Sequence, residues 1–99
     1  MISTNIIKTY RDVVAICDSE LLGKRFEEGE LQLEIKESFF NGEKLSEIEV
    51  FEIMKKMSRE DATFNIIGER SVNMALKAQI ISKEGIKKIH GIPFALVLM

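Results

Sequence analysis

The feature that most constrains this chain is an unbroken run of five apolar residues, Val13 to Cys17, followed at once by Asp18. Strands without polar alternation are typical of positions that are covered on both faces of a sheet. Val and Ile suit a pleated strand, and Asp18 and Ser19 can end it by bonding nearby backbone groups. The run therefore predicts a buried strand in a sheet that has further structure packed on each side.

Patterns elsewhere in the chain indicate more strands and a first helix. The segment ELQLEIK, residues 30–36, alternates apolar and polar residues, as a half-buried strand does. Ser46 and Glu49 form a Ser-x-x-Glu capping box, which predicts that a helix begins there. The expected core stripe of this helix is Leu45, Ile48, Phe51, Met54 and Met57.

The C-terminal half predicts a short strand over 63–68, a second helix over 69–79 and a last strand or hairpin over 85–99. Pro93 lacks an N–H, so we expect it at a strand start or edge. We expect the apolar run Phe94–Met99 to be packed, because an exposed run would favour association. The order β-β-β-α-β-α-β-β predicts one layered α+β domain, residues 1–99, with a mixed, largely antiparallel sheet packed by two helices.

Composition restricts the class of protein. The chain is 45% apolar and 30% charged with one proline, which is typical of a folded globular domain. A single cysteine cannot form an internal disulfide, so nothing indicates an oxidising compartment. There is neither a signal-peptide pattern nor the run of ~20 apolar residues that a membrane helix needs. We therefore predict a cytoplasmic protein with no membrane association.

The charge distribution bears on nucleic acid as a partner. The net charge is −2, but residues 18–52 carry eleven acids and four bases, whereas 53–99 carry four acids and eight bases. Two solvated faces explain this more simply than a bipolar surface that steers a partner. The acidic balance argues against a general phosphate binder, so we expect no DNA partner, and no aromatic RNA-binding signature is present.

A local basic patch is nevertheless a candidate for contact with an RNA backbone, as on a ribosome, or with an acidic protein face. Its candidate residues are Lys55, Lys56, Arg59, Lys83, Lys87 and Lys88. Such a patch requires that the two groups of cations converge in the fold, and a merely solvated face is the preferred interpretation.

The candidates for catalysis are Cys17, Asp18 and His90. A nucleophilic cysteine needs a histidine or cationic surroundings to stabilise its thiolate, and His90 is the only histidine. A Cys17–His90 pair would require the last segment to lie beside the second strand. We prefer the interpretation that Cys17 is a buried apolar residue and that His90 ends a strand.

The candidates for anion binding are Lys24, Gly68, Arg70 and Ser71. A strand that runs through Gly68 into a helix presents free N–H groups, which can bind an anion. Arg70 would help such a site, and the neighbouring Glu69 would hinder it. Nucleotide-binding glycine motifs are absent, and neither zinc nor calcium spacing is found, so we predict no metal and no cofactor.

Four segments, taken in order, carry a family resemblance: CDSELLGKRFEEGELQLEI, SFFNGE, NIIGERSV and GIP. Together they resemble a family of small archaeal proteins, the domain of unknown function 424. The resemblance implies an archaeal, cytoplasmic protein and brings no established activity. The family's last motif often reads Gly-Ile-Pro-His-Ala, and Phe94, which cannot transfer a proton, stands at the usual histidine. The matching positions are Cys17, Asp18, Leu22, Gly23, Lys24, Phe26, Gly29, Asn65, Gly68, Glu69 and Gly91-Ile92-Pro93.

These observations favour a non-enzymatic accessory module that binds protein or RNA of the information-processing machinery. Two alternatives stay open. The first is a small enzyme or an anion- or nucleotide-binding protein that uses the Cys17–Asp18 and Gly68 turns. The second is a self-associating domain whose copies pair through the C-terminal strand.

Overall fold

The structure, a computed structural model, describes residues 1–98. Eight strands and three α-helices occur in this part of the chain. The strands are β1 (Ile2–Ile7), β2 (Val13–Asp18), β3 (Arg25–Glu28), β4 (Leu31–Glu34), β5 (Glu43–Leu45), β6 (Thr63–Ile67), β7 (Lys87–Ile89) and β8 (Ile92–Val97). The helices are α1 (Glu37–Phe40), α2 (Glu47–Arg59) and α3 (Glu69–Lys77), and 3₁₀ turns occupy Ser19–Leu21 and Lys83–Gly85.

Six of the strands form one sheet in the order β5-β1-β2-β6-β8-β7, and β3 pairs with β4 as a separate hairpin. The β2–β6 pair is parallel and every other pair is antiparallel. The predicted α+β class, with a mixed and largely antiparallel sheet, is confirmed. The predicted element order lacked β3, β5 and α1, because the sequences of these short elements carry charges and no clear apolar period.

The strand predicted from the apolar run is confirmed as β2, and Val14 to Cys17 have no exposed surface. Its side chains alternate between two cores. On one face of the sheet, Val14 and Ile16 pack with the residues of α2 and α3. On the other face, Ala15 and Cys17 contribute to a smaller core that also contains residues from the β3–β4 hairpin and α1. The sheet is therefore the middle layer of three.

Helix α2 begins at the predicted capping box, in which the Ser46 side chain accepts from the Glu49 N–H and the Glu49 carboxylate accepts from the Ser46 N–H. Its core side is formed by Val50, Met54 and Met57. The prediction that Ile48 is buried is wrong, since this side chain is 76% exposed. Side chains two residues apart on a helix point in directions that differ by about 200°, so burial of Val50 turns Ile48 outward.

The C-terminal segment forms the hairpin β7–β8. His90 and Gly91 connect the strands, and both have the positive φ that two-residue type I′ turns require. Pro93 is the second residue of β8, as predicted for a strand start. The expectation that the whole apolar run packs is wrong: Ala95 is buried and Val97 packs against the helix-side core, but Leu96 is 57% and Leu98 73% exposed. Met99 lies outside the described residues.

None of the helices within residues 1–98 is long and apolar enough to span a membrane.

Candidate functional site

A cluster of polar contacts lies where β2 and β6 end. Because these strands are parallel and Cys17 pairs with Ile67, the next residues, Asp18 and Gly68, leave the sheet at the same edge. Helix α3 begins at Glu69, directly after Gly68. The side chain of Asp18 thus lies beside the first turn of α3.

Asp18 caps α3 from the neighbouring strand. Its Oδ1 accepts from the Ser71 N–H at 2.9 Å and from the Ser71 hydroxyl at 2.7 Å, and its Oδ2 accepts from the Arg70 N–H at 3.1 Å. Asp18 is only 4% exposed. A carboxylate at this place satisfies N–H groups that have no partner within the helix and interacts favourably with the helix dipole.

Gly68 makes this close approach feasible. Its φ is 111°, in the region that favours glycine, and an added Cβ would lie 2.4 Å from the Asp18 Cγ. The Gly68 N–H donates to the Pro93 carbonyl at 2.9 Å, and its own carbonyl accepts from the Val72 N–H at 2.9 Å. The turn therefore joins β2, α3 and β8, and only glycine fits there.

A small cleft of about 150 Å³ opens above this turn. Its lining is acidic and comes from three separate parts of the sequence. These residues are Asp18, Glu20, Leu21, Gly68, Glu69, Gly91, Ile92 and Pro93. Three of the segments that carry the family resemblance thus meet at one place, which sequence spacing alone could not indicate.

The guanidinium of Arg70 lies at the rim of the cleft. Its Nη2 donates to the Glu20 carboxylate at 2.5 Å and approaches the Met1 carbonyl at 3.4 Å. The backbone N–H of Glu20, and then Arg70, hold the pKa of the Glu20 carboxyl below its usual value. The hydrogen bond that Arg70 donates to Glu20 likewise raises the pKa of Arg70 above its usual value. Both side chains are substantially exposed, so this pair contributes little to stability.

The predicted anion-binding residues are only partly brought together. Gly68, Arg70 and Ser71 surround the start of α3, but the N–H groups of Arg70 and Ser71 already bond to Asp18. Lys24 is exposed near the start of β3, where its carbonyl accepts from the Ile35 N–H. The anion at this helix is therefore an internal carboxylate. An external anion stays a prediction, and it would have to displace Asp18 from these two N–H groups.

Cys17 and His90 do not form a catalytic pair. Burial, and then the charge of Asp18, raise the pKa of the Cys17 thiol to about 12, so the thiol is protonated at neutral pH. His90 is exposed, its Nε2 contacts the Glu27 carbonyl, and its N–H donates to the Glu28 carboxylate at 2.9 Å. Within residues 1–98, no hydrogen bond joins Cys17 to His90, and no cluster of three or more potential metal ligands occurs.

The six cations of the predicted basic patch separate into two groups. Lys55, Lys56 and Arg59 lie at the end of α2, four residues before β6 begins at Thr63. Lys87 and Lys88 pair with Phe94 and Pro93, level with the end of β6, and Lys83 lies in the turn before them. At about 3.3 Å per residue, the length of β6 separates the two groups by roughly 16 Å. One continuous patch is not formed.

Comparison with known proteins places the chain in a family. A family model described as protein of unknown function (DUF424) matches residues 7–99. The chain belongs to the DUF424 family. A solved structure, an uncharacterized conserved protein from the archaeon Methanopyrus kandleri, is similar to it with a TM-score of 0.82 and 23% identity. That similarity covers 98% of this DUF424 chain and 91% of the other, and it shows a shared fold. No curated protein matches the chain.

Proposed function

We propose that this DUF424 protein is a non-catalytic protein-binding module that accepts an extended, acidic segment of a partner along the uncovered part of β8. The observation that carries the proposal is the length difference in the last hairpin. β7 pairs with residues Ile92 to Phe94 only, whereas β8 continues to Val97. The segment Ala95–Val97, here called the free half of β8, therefore lacks a strand on that side within the described chain.

The backbone of the free half is oriented for strand addition. Gly68 donates to the Pro93 carbonyl, so Pro93 faces β6 and alternate residues from there also face β6. Leu96 is three residues further along, so its N–H and C=O point away from β6. An added strand would bond to these two groups, as peptides do when they extend the edge of a sheet.

The surroundings of Leu96 suit an apolar side chain of the added strand. A groove of about 340 Å³ runs beside the free half and is lined by Gly85, Lys87, Phe94, Ala95 and Leu96. Leu96 and Leu98 are mostly exposed. Burial of such side chains in a complex contributes about 25 cal/mol per Å² of apolar surface removed from water.

The charges beside the groove favour an acidic partner. Residues 83–88 contain Lys83, Lys87 and Lys88 against the single acid Glu84, and all four are exposed. Complementary charge mainly accelerates encounter and selects among partners. A protein segment is favoured over RNA because this group holds only three cations, the net charge of the chain is −2, and the groove is largely apolar.

The state of the candidate catalytic residues also supports a binding role. The thiol of Cys17 is fully buried, and the carboxylate of Asp18 is held by three hydrogen bonds. A group used in proton or acyl transfer must reach its substrate. That the partner belongs to the information-processing machinery, and that the protein acts in the cytoplasm, stay predictions from the sequence.

The proposal is tested by titrating ¹⁵N-labelled protein with an eight-residue peptide in which valine alternates with glutamate. We expect the amide signals of Lys87, Leu96 and Leu98 to shift, and a peptide with lysine in place of glutamate to bind at least tenfold more weakly. Leu96→Pro removes the outward N–H together with the leucine side chain and should abolish binding. Leu96→Ala keeps that N–H and is the matched control, with an intermediate loss.

Other outcomes would overturn the proposal. Unchanged binding by Leu96→Pro would show that the edge is not the site. If a uridine dodecamer shifts these amides, the peptide does not, and binding weakens as salt rises, the surface binds RNA. If the wild-type protein dimerises and Leu96→Pro abolishes the dimer, the occupant is a second copy.

A further inference from the structure

Ile48 is a large apolar side chain without cover at the first turn of α2. It is 76% exposed, whereas Ile6, another exposed isoleucine, is 38% exposed. Phe51 lies one turn further along on the same side and is half-buried. Both side chains line the space between α2 and α3.

The space between the helices is an apolar groove of about 260 Å³, here called the helix groove. It is lined by Glu47, Ile48, Phe51, Met74 and Lys77. Its floor is Phe51 and Met74, and Met74 is 6% exposed. Two of its lining residues are charged and exposed, Glu47 on α2 and Lys77 on α3. No ion pair joins these two charges in the described chain.

We propose that the helix groove is the interface of a two-fold homodimer. In a two-fold interface each copy presents the same surface to the other. A two-fold axis that runs along the groove exchanges its walls, which brings Glu47 of each copy opposite Lys77 of the other. The same rotation places Ile48 of each copy over the floor of the other copy's groove.

The charges favour a second copy as the occupant. An acid on one wall and a base on the other make the groove complementary to its own rotated image. This differs from the free half of β8, where the bordering charges are mostly of one sign and repel an identical surface. The dimer and the peptide site are therefore separate, and either can exist without the other.

Sedimentation equilibrium of charge variants tests the dimer. We expect wild-type mass to rise with concentration to that of a dimer. Glu47→Lys and Lys77→Glu should each weaken association at least tenfold, because each variant places like charges opposite each other twice. An equimolar mixture of the two variants should recover the dimer, since every opposing pair is then of opposite sign.

Three further variants make the outcome clear. Lys56 lies about 140° around α2 from Phe51, away from the groove, so the Lys56→Glu protein should associate as the wild type does. Ile48→Asp should weaken association without loss of helix content by circular dichroism. Leu96→Pro should leave the dimer intact, which separates this interface from the β8 edge.

A wild-type protein that stays monomeric at millimolar concentration would overturn the inference. So would a dimer that both single charge variants preserve, a mixture that fails to recover association, or a dimer that Leu96→Pro alone abolishes.

Discussion

The two ends of the large sheet differ in how their polar groups are satisfied. Where β2 and β6 end, Asp18 accepts three hydrogen bonds and Gly68 bonds to both Pro93 and Val72. At the free half of β8, the backbone of Leu96 faces outward without a strand beside it. Asp18 and Gly68 thus have their polar groups bonded within the fold, whereas a plain apolar segment has its backbone turned outward.

We expect the stability of the protein to be sensitive to small changes at the end of the sheet that holds Asp18 and Gly68. Gly68→Ala should reduce the free energy of unfolding by about 3 kcal/mol or more, because of backbone strain and the contact with Asp18. Urea denaturation measures this change. Gly85→Ala is the matched control: an added Cβ there meets nothing within 4 Å, so the cost should be near zero. Equal losses in both variants would contradict the account.

The next largest effect is expected for Asp18→Asn, at roughly 2–3 kcal/mol. One carboxylate oxygen becomes an NH₂ group, which cannot accept a hydrogen bond, so either the Arg70 or the Ser71 N–H loses its partner. Glu20→Gln changes the exposed neighbour of Arg70 in the same way and should cost less than about 1 kcal/mol. Thermal and chemical unfolding of both variants would measure the difference, and a stable Asp18→Asn protein would disprove the capping role.

Cys17, which precedes Asp18 at the end of β2, provides a smaller, pH-dependent test of burial there. Burial raises the pKa of its thiol from 9.0 to about 12, so folding favours the protonated form. Stability from this group is complete below pH 9 and is lost as pH rises towards 12. Between pH 8 and pH 10 the wild type should lose about 1.4 kcal/mol more than Cys17→Ala, which has no group to titrate. Parallel pH profiles would contradict this burial.

The smallest effect on stability is expected at the free half of β8. Leu96→Pro should change the free energy of unfolding by less than about 1 kcal/mol, because the N–H that it removes faces outward. Ala95→Pro is the matched control, since the Ala95 N–H faces β6 and its loss removes a bond of the ladder. We expect the control to be clearly less stable by urea denaturation. Equal losses would show that Leu96 is bonded within the sheet.

Local patterns in the sequence predicted the local elements. The run at Val13 gave a buried strand, the Ser46–Glu49 box began α2, and Pro93 was expected near a strand start, and all three are confirmed. The predicted buried stripe of α2 is wrong at Ile48. The apolar period of the sequence does not decide which side of the helix faces the sheet. That choice depends on the position of α3.

The contacts within the candidate site required information that the sequence does not carry. One alternative placed the Cys17–Asp18 and Gly68 turns in a shared site, but the contact of Asp18 with Gly68 depends on the parallel pairing of β2 with β6 across 50 residues. No local pattern specifies which strands are neighbours. The sequence left pairing through the C-terminal strand open as an alternative, but the extent of the free half of β8 follows from the short length of β7 and not from β8 itself.

Native-state hydrogen exchange, followed by NMR, tests the contrast between the two ends most directly. The account predicts strong protection of the Ser71 amide, which donates to Asp18, and rapid exchange of the Leu96 amide in the monomeric protein. Addition of the valine–glutamate peptide should then slow exchange at Leu96 and leave Ser71 unchanged. A Leu96 amide that is protected in the isolated monomer, or a Ser71 amide that exchanges rapidly, would contradict the central claim.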